Sequence, residues 1–441
     1  MTSVPLSPRR RREIIDALRR GTVPLRGLDA FAVGLDRLQG ELGRELRDAA
    51  NGASGFKAIR GEYGSGKTFF ARWLAERAKA LGFATSEVQI SETETPLHQL
   101  EKVYRRIVER LSTADVPEGA LRTVVERWNF ALEEDVLATG IREQDVDELS
   151  SRVAALMEQR LADVSARSPS FALALRHHRA AVDAGDTALA DGILAWLGAQ
   201  PNVPASVRRA AGVKGEIDHF GALAHLQGLL AVLRDAGHPG LLLVLDEVET
   251  LQRVRSDVRE KALNALRQLI DEIDSGRFPG LYLVITGTPA FFDGPQGVQR
   301  LPPLAQRLHV DFSGDPRFDN PRWVQIRLPA FDHDRLVLVG RRVRDIYADG
   351  ADAPDRVRQR ADDAYISELA TAVAGELGGK IGVVPRVFLR KLVGDVLDRI
   401  DQFADFDPRV HYALTIGDGE LTLEEREARE AVSADDVELD L

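Results

Sequence analysis

Gly61, Glu62, Tyr63, Gly64, Ser65, Gly66, Lys67 and Thr68 read GEYGSGKT, and they match the spacing G-x-x-x-x-G-K-[ST] between an apolar stretch and a helical one. Glycines at these steps let the backbone curl so that successive N–H groups face one concavity, which suits phosphate oxygens. The helix that follows, Thr68 to Ala80 with Phe69 in its first turn, adds the positive end of its dipole. In that setting the Lys67 ammonium is expected on the β- and γ-phosphates of ATP, and the Thr68 hydroxyl on Mg2+. The bland alternative, a glycine turn that happens to precede a lysine, does not account for both the strand before it and the helix after it. A second constellation, LLLVLDEVE, closes an apolar run with Asp246 and Glu247. The carboxyl end of a buried parallel strand is where α/β sheets bind ligands. Asp246 is therefore expected to hold Mg2+ through water, and Glu247 to polarise an attacking water.

Weaker signals lie further along. The stretch VITGTP ends another apolar run with Thr286 and Thr288, either of which could orient water or sense the γ-phosphate, or simply form a turn. Arg307 stands just before the last strand and Arg386 in the first turn of a late helix, GVVPRVFLR. Single arginines are usually solvated, and only their order in the chain gives these two weight. His177 and His178 lack metal-ligand spacing and read as a solvated helix face. The run Arg9 to Arg12 reads as a solubilising helix start.

These residues need a scaffold that brings distant segments to one edge. Phe56 to Arg60, Leu241 to Leu245 and Leu281 to Thr286 read as buried parallel strands, while ATSEVQIS from Ala84 and WVQIRL from Trp323 are mixed enough for sheet edges. Helical patterns alternate with them, which predicts an α/β fold with a parallel sheet. Phe70, Trp73, Leu74, Ala78 and Leu81 form one stripe and Gly82 a stop. The connection from 91 to 240 is too long for a single crossover. The expected organisation is a helical segment at 1–50, a nucleotide-binding core at 51–90 and 214–329, a helical insertion at 91–213, a helical lid at 330–412 and an acidic tail at 413–441.

The chain of 441 residues carries a net charge of −11, of which the tail alone supplies −8. The near-neutral remainder shows no dedicated footprint for a nucleic-acid backbone. Zero cysteines exclude disulfides and thiolate metal sites. No apolar run approaches the roughly 18 residues of a spanning helix, so a cytoplasmic protein with no membrane partner is expected.

Phosphate loop, late Asp-Glu strand, Thr-ended strand, arginine before the fifth strand and arginine in a helical lid together resemble the AAA+ ATPases of the initiator-like branch. That resemblance implies that Arg307, with Arg300 as competitor, serves a neighbour's nucleotide and that Arg386 is the lid sensor. The large insertion and the absence of a clear winged helix depart from the branch and put an origin-binding role in doubt. More narrowly, REIIDALRRGTVPLRGLDAFAVGLDRL, FKAIRGEYGSGKTFFARWLAERA, EVQISETETPLHQLEKVYRRI and LLLVLDEVETLQRVRSDVREKALNALRQLID resemble the BrxD-type ATP-binding proteins of BREX phage-defence systems. This implies an ATP hydrolase in antiphage defence that remodels or loads a DNA-associated partner, or alternatively a nucleotide-gated switch with slow turnover. It further implies an ATP-promoted homo-oligomer, with a hexamer as candidate, other BREX components such as a helicase-like protein as partners, and DNA as a further candidate. Val23, with Pro24 and Leu25, would line the adenine side; a helix-linking turn is the equal alternative. A small-molecule kinase shares the loop but leaves the Asp-Glu pair, the Thr-ended strand and the C-terminal helices unexplained.

Overall fold

Five strands, β1 (Gly55–Arg60), β2 (Ala84–Gln89), β3 (Leu241–Asp246), β4 (Leu281–Gly287) and β5 (Gln325–Arg327), pair in parallel in the order β2-β3-β4-β1-β5. The computed structural model describes residues 6–328, 331–376, 384–421 and 426. Every residue of β3 and β4 is buried, as their unbroken apolar sequence requires when both faces of a sheet are covered. The mixed sequences of β2 and β5 lie at the two edges, as expected.

Alternation across the pleat sends the strand side chains to two separate cores. Leu241, Leu243, Leu245, Leu281, Leu283 and Ile285 face the helices between β2 and β3 and the helix Ser256–Asp274. Leu242, Val244, Tyr282, Val284, Ile59 and Ile326 face α1 (Pro8–Arg19), α2 (Asp36–Ala50), α3 (Lys67–Ala80) and the C-terminal helices. Each aliphatic side chain so buried contributes about 1.5–3 kcal/mol relative to exposure. On α3, Phe70, Trp73, Leu74 and Ala78 are buried as the stripe predicts, whereas Leu81 is exposed beyond the last turn and Gly82, at φ +88°, ends the helix.

Seven helices, from Leu100–Glu109 to His219–Asp235, stand between β2 and β3. The last of them returns the chain to the sheet, and Leu100–Glu109, Leu121–Leu137, Val146–Arg167 and Pro169–Asp183 pack against it. His225 on this helix is enclosed edge-to-face by Tyr104, Phe171 and Trp196, and Trp128 Nε1 donates to Asp235. His178 is buried here too, which corrects the reading of both histidines as solvated: it sits on the inner face of the helix Pro169–Asp183 while His177 is half-buried.

After β5, the helices His333–Ala348, Pro354–Arg360 and Asp363–Glu376 precede Val384–Arg390, which runs on through a π-helical stretch Lys391–Leu397. They share a core with α1. The start of the acidic tail packs against them: Leu421 is buried, and Glu420 accepts from Lys391 Nζ at 2.8 Å. The tail at 422–425 and 427–441 lies outside the described residues. The Arg9 to Arg12 run is largely tied down within the chain, with Arg9 on Glu13, Arg10 on Glu76 and Arg11 on backbone carbonyls.

Candidate functional site

β4 lies between β1 and β3, so the phosphate-loop strand and the Asp246 strand are not neighbours. Register aligns Ile59 with Thr286 and Gln89 with Asp246, which gathers four strand ends at the carboxyl edge of the sheet. The loop between β1 and α3 has three steps that need glycine, one of them Gly64 at φ +76°. At Gly61 a β-carbon would come within 2.2 Å of Ser65 Oγ, and Gly66, at φ +90°, caps α3.

One cleft of about 300 Å³ gathers Tyr63, Gly64, Ser65, Gly66, Lys67, Thr68, Phe69, Asp246, Glu247 and Arg386. Its apolar side is made by Val23, Pro24, Phe31, Val33, Phe331 and Leu389. The adenine-side expectation thus falls on Val23 and Pro24. Leu25 is 73% exposed and does not line the cleft, because the chain turns outward there. Gly61 and Glu62 lie at the rim of a neighbouring groove and reach the site through their carbonyls.

Lys67 Nζ donates to Gly61 O at 2.8 Å and Glu62 O at 3.3 Å, lies 3.6 Å from a Glu249 carboxylate oxygen, and stands over the Tyr63 ring at 5.1 Å. Thr68 Oγ1 donates to Asp246 Oδ2 at 3.1 Å. Asp246 is buried and also accepts from the Thr286 hydroxyl and, at 3.1 Å, from the Glu247 N–H. Glu247 has a left-handed backbone, φ +59°, and its carboxylate accepts from Gln89 Nε2 at 2.7 Å. Such a conformation in a non-glycine residue persists only where the surroundings hold it. Here its N–H is bonded to both Asp246 and Thr286 Oγ1.

Several expectations change. Thr286 is fully buried behind Asp246 and does not reach the cleft, so its hydroxyl acts on the carboxylate and not on a γ-phosphate. Thr288 caps the helix Pro289–Asp293. Arg307 is paired with Asp271 and Asp274 at the far end of the helix Ser256–Asp274, which leads into the amino end of β4. That helix is about 27 Å long at 1.5 Å per residue, so Arg307 lies far from the chain's own cleft. Arg300 is at the carboxyl edge of the sheet: it donates to Ser256 Oγ at 3.1 Å and to Gln296 at 3.3 Å. Arg386 lines the cleft and donates to Glu420 O at 2.8 Å.

Sequence reasoning missed Gln89, Glu249 and Arg259. Gln89 was visible as a polar residue ending β2 at the same edge, and Glu249 as a third acid in DEVET. Arg259 gave no signal, since its role is to bind the carbonyls of Leu251, Gln252 and Val254 and the side chain of Gln296. Burial raises the Glu249 carboxyl to about 7 against the pull of Lys67.

The residues fit a magnesium nucleotide. Ser65 Oγ is buried without a hydrogen-bond partner, the loop concavity is kept open by the absence of a β-carbon at Gly61, and Thr68 with Asp246 supplies an all-oxygen donor set. A profile of the family described as BREX system ATP-binding protein BrxC/D matches residues 6–416. The chain belongs to this family. Family membership makes it an ATP-binding protein of BREX defence and leaves BrxC and BrxD types undivided. No curated protein matches the chain. Among solved structures, a chain of Drosophila ORC bound to DNA is similar over 90% of this chain and 69% of that one, at 12% identity and a TM-score of 0.29, too low to carry any argument about the fold. Among the described residues no helix is long and apolar enough to cross a membrane.

Proposed function

We propose that this BrxC/D-family chain is a Mg2+-dependent ATP hydrolase of the AAA+ type, working as an ATP-promoted homo-oligomer that remodels or loads a DNA-associated partner during antiphage defence. The reading rests on one observation above all: Lys67, Thr68, Asp246, Glu247 and Arg386, drawn from three separate segments, line one cleft beside an apolar wall. Phosphates entering the loop take Lys67 from the Gly61 and Glu62 carbonyls. Thr68, and Asp246 through water, would hold Mg2+, which when bound neutralises charge building on the transferring phosphoryl oxygens. Glu247, freed from Gln89, accepts the proton of the attacking water. Arg386 reaches the γ-phosphate from the lid helices. Arg300 replaces Arg307 as the residue offered to a neighbouring subunit's nucleotide, since it stands at the nucleotide edge of the sheet.

A second reading, a nucleotide-gated switch with slow turnover, is favoured by the self-bonded state of the site: Glu247 is held by Gln89 and Lys67 by Glu249. Steady-state phosphate release measured with and without duplex DNA, alongside native mass in ATP, separates the two. The hydrolase reading expects turnover that Glu247→Gln abolishes while ATP binding persists. ATP-dependent assembly with no turnover above the Glu247→Gln level supports the switch.

A further inference from the structure

Glu249 sits in the short 3-10 turn Val248–Gln252 after the Asp-Glu pair, and its side chain lines the cleft. It is 4% exposed, neither of its carboxylate oxygens is hydrogen-bonded to another residue, and Lys67 Nζ at 3.6 Å is its counter-charge among the described residues. A buried carboxylate in that state is unfavourable without a cation beside it. Lys67, itself 8% exposed, is therefore doubly occupied before any nucleotide arrives, by two loop carbonyls and by one carboxylate.

We propose that Glu249 is a positioning residue that seats Lys67 in the empty loop and competes with the β- and γ-phosphates for its charge, so that nucleotide binding exchanges one anion for another at a single ammonium. This rests on the reading of the cleft as the ATP site. The groups facing Glu249 make the competition sharp. Lys67 meets it from the phosphate loop, while Asp246 and Glu247 stand at the end of β3 with like charge. On the helix Ser256–Asp274, Arg259 directs its guanidinium to the carbonyls of Leu251, Gln252 and Val254 and to Gln296. On β4 the Thr286 hydroxyl is committed to Asp246. When phosphates draw Lys67 away, Glu249 is left among negative charges and takes up a proton.

The direction with pH follows. At pH 8 the carboxylate is ionised and retains Lys67; at pH 6 it is protonated and releases it, because burial already holds the group at about 7. Glu249→Gln is uncharged at both values. Calorimetric titration of the full chain with ATP and Mg2+ should therefore show Glu249→Gln binding about tenfold more tightly than wild type at pH 8, with the gap closing to about twofold at pH 6, where each tenfold corresponds to one pKa unit of interaction. Comparison of the two proteins subtracts the titration of the nucleotide itself. Equal affinities at pH 8, or a gap of the same size at both pH values, overturn the proposal. Failure of wild type to bind ATP at either pH would instead strike the reading of the cleft. If circular dichroism shows that Glu249→Gln does not fold, the wild-type protein decides alone. Heats of ATP binding near neutral pH, in buffers of different ionisation enthalpy, should reveal net proton uptake, and no uptake would overturn the proposal.

Discussion

Replacing Thr286 by valine, a near-isosteric change, isolates what the Thr-ended strand does for the site. The Thr286 hydroxyl donates to Asp246 Oδ1 and accepts from the Glu247 N–H at 3.2 Å, all in a position with no solvent exposure. A hydrogen bond to a charged group contributes about 1.5–3 kcal/mol, and a buried carboxylate deprived of one donor cannot recruit water in its place. Asp246 keeps Thr68 and the Glu247 N–H as donors, so the expected loss is about 2–3 kcal/mol rather than collapse. At about 2.1 cal/mol/K of unfolding entropy per residue, a chain of 441 residues turns that into a fall of about 2–3 °C in Tm. The same change loosens the left-handed backbone at Glu247, so kcat for phosphate release should fall about tenfold or more while ATP affinity changes by less. Thermal unfolding and steady-state kinetics on wild type, Thr286→Val and Thr286→Ser measure both, with serine expected to restore most of each. If Thr286→Val keeps its Tm and loses only ATP affinity, the hydroxyl contacts nucleotide after all and its assignment to Asp246 is wrong.

Arg300→Ala and Arg307→Ala should separate cleanly: each mixed with Lys67→Ala subunits, only the Arg300 variant is expected to lose turnover alone and regain part of it in the mixture, while Arg307→Ala retains near-wild-type rates and loses only surface ion pairs worth about 0–1 kcal/mol each. Gln89→Leu frees Glu247 and should raise basal phosphate release by up to about tenfold with KM unchanged, checked by steady-state assay without DNA. His225, pushed down to about 4 by burial, gives an acid-sensitive core. Between about pH 6.5 and 4 the unfolded chain binds a proton that the folded chain refuses, so stability falls with falling pH, by about 1.4 kcal/mol per unit, and His225→Phe should flatten that slope in urea titrations.

The phosphate loop, the Asp246-Glu247 strand end and the parallel sheet were legible because each is local: a glycine spacing, an apolar run with a sudden acid, a period of alternation. Strand order was not. That β4 separates β1 from β3, and so puts Thr286 behind Asp246 instead of over a phosphate, depends on pairing between segments far apart in the chain. Arg307 and Arg300 were indistinguishable as arginines before the last strand, and only the direction of the helix Ser256–Asp274 tells at which end of the sheet each lies. His178 failed for a related reason: adjacent histidines diverge by about 100° on a helix, so one of the pair turned inward although the missing metal-ligand spacing had suggested a solvated face for both.

The central claim is that Lys67, held in an empty loop by carbonyls and Glu249, is the cation that receives the phosphates of ATP. Calorimetric titration of ATP with Mg2+ into wild type and Lys67→Ala tests it most directly. Saturable binding to wild type and its loss in Lys67→Ala is the predicted result, because that variant removes the point charge facing the β- and γ-phosphates. Unchanged affinity in Lys67→Ala, with the fold intact by circular dichroism, would contradict it and move the nucleotide elsewhere.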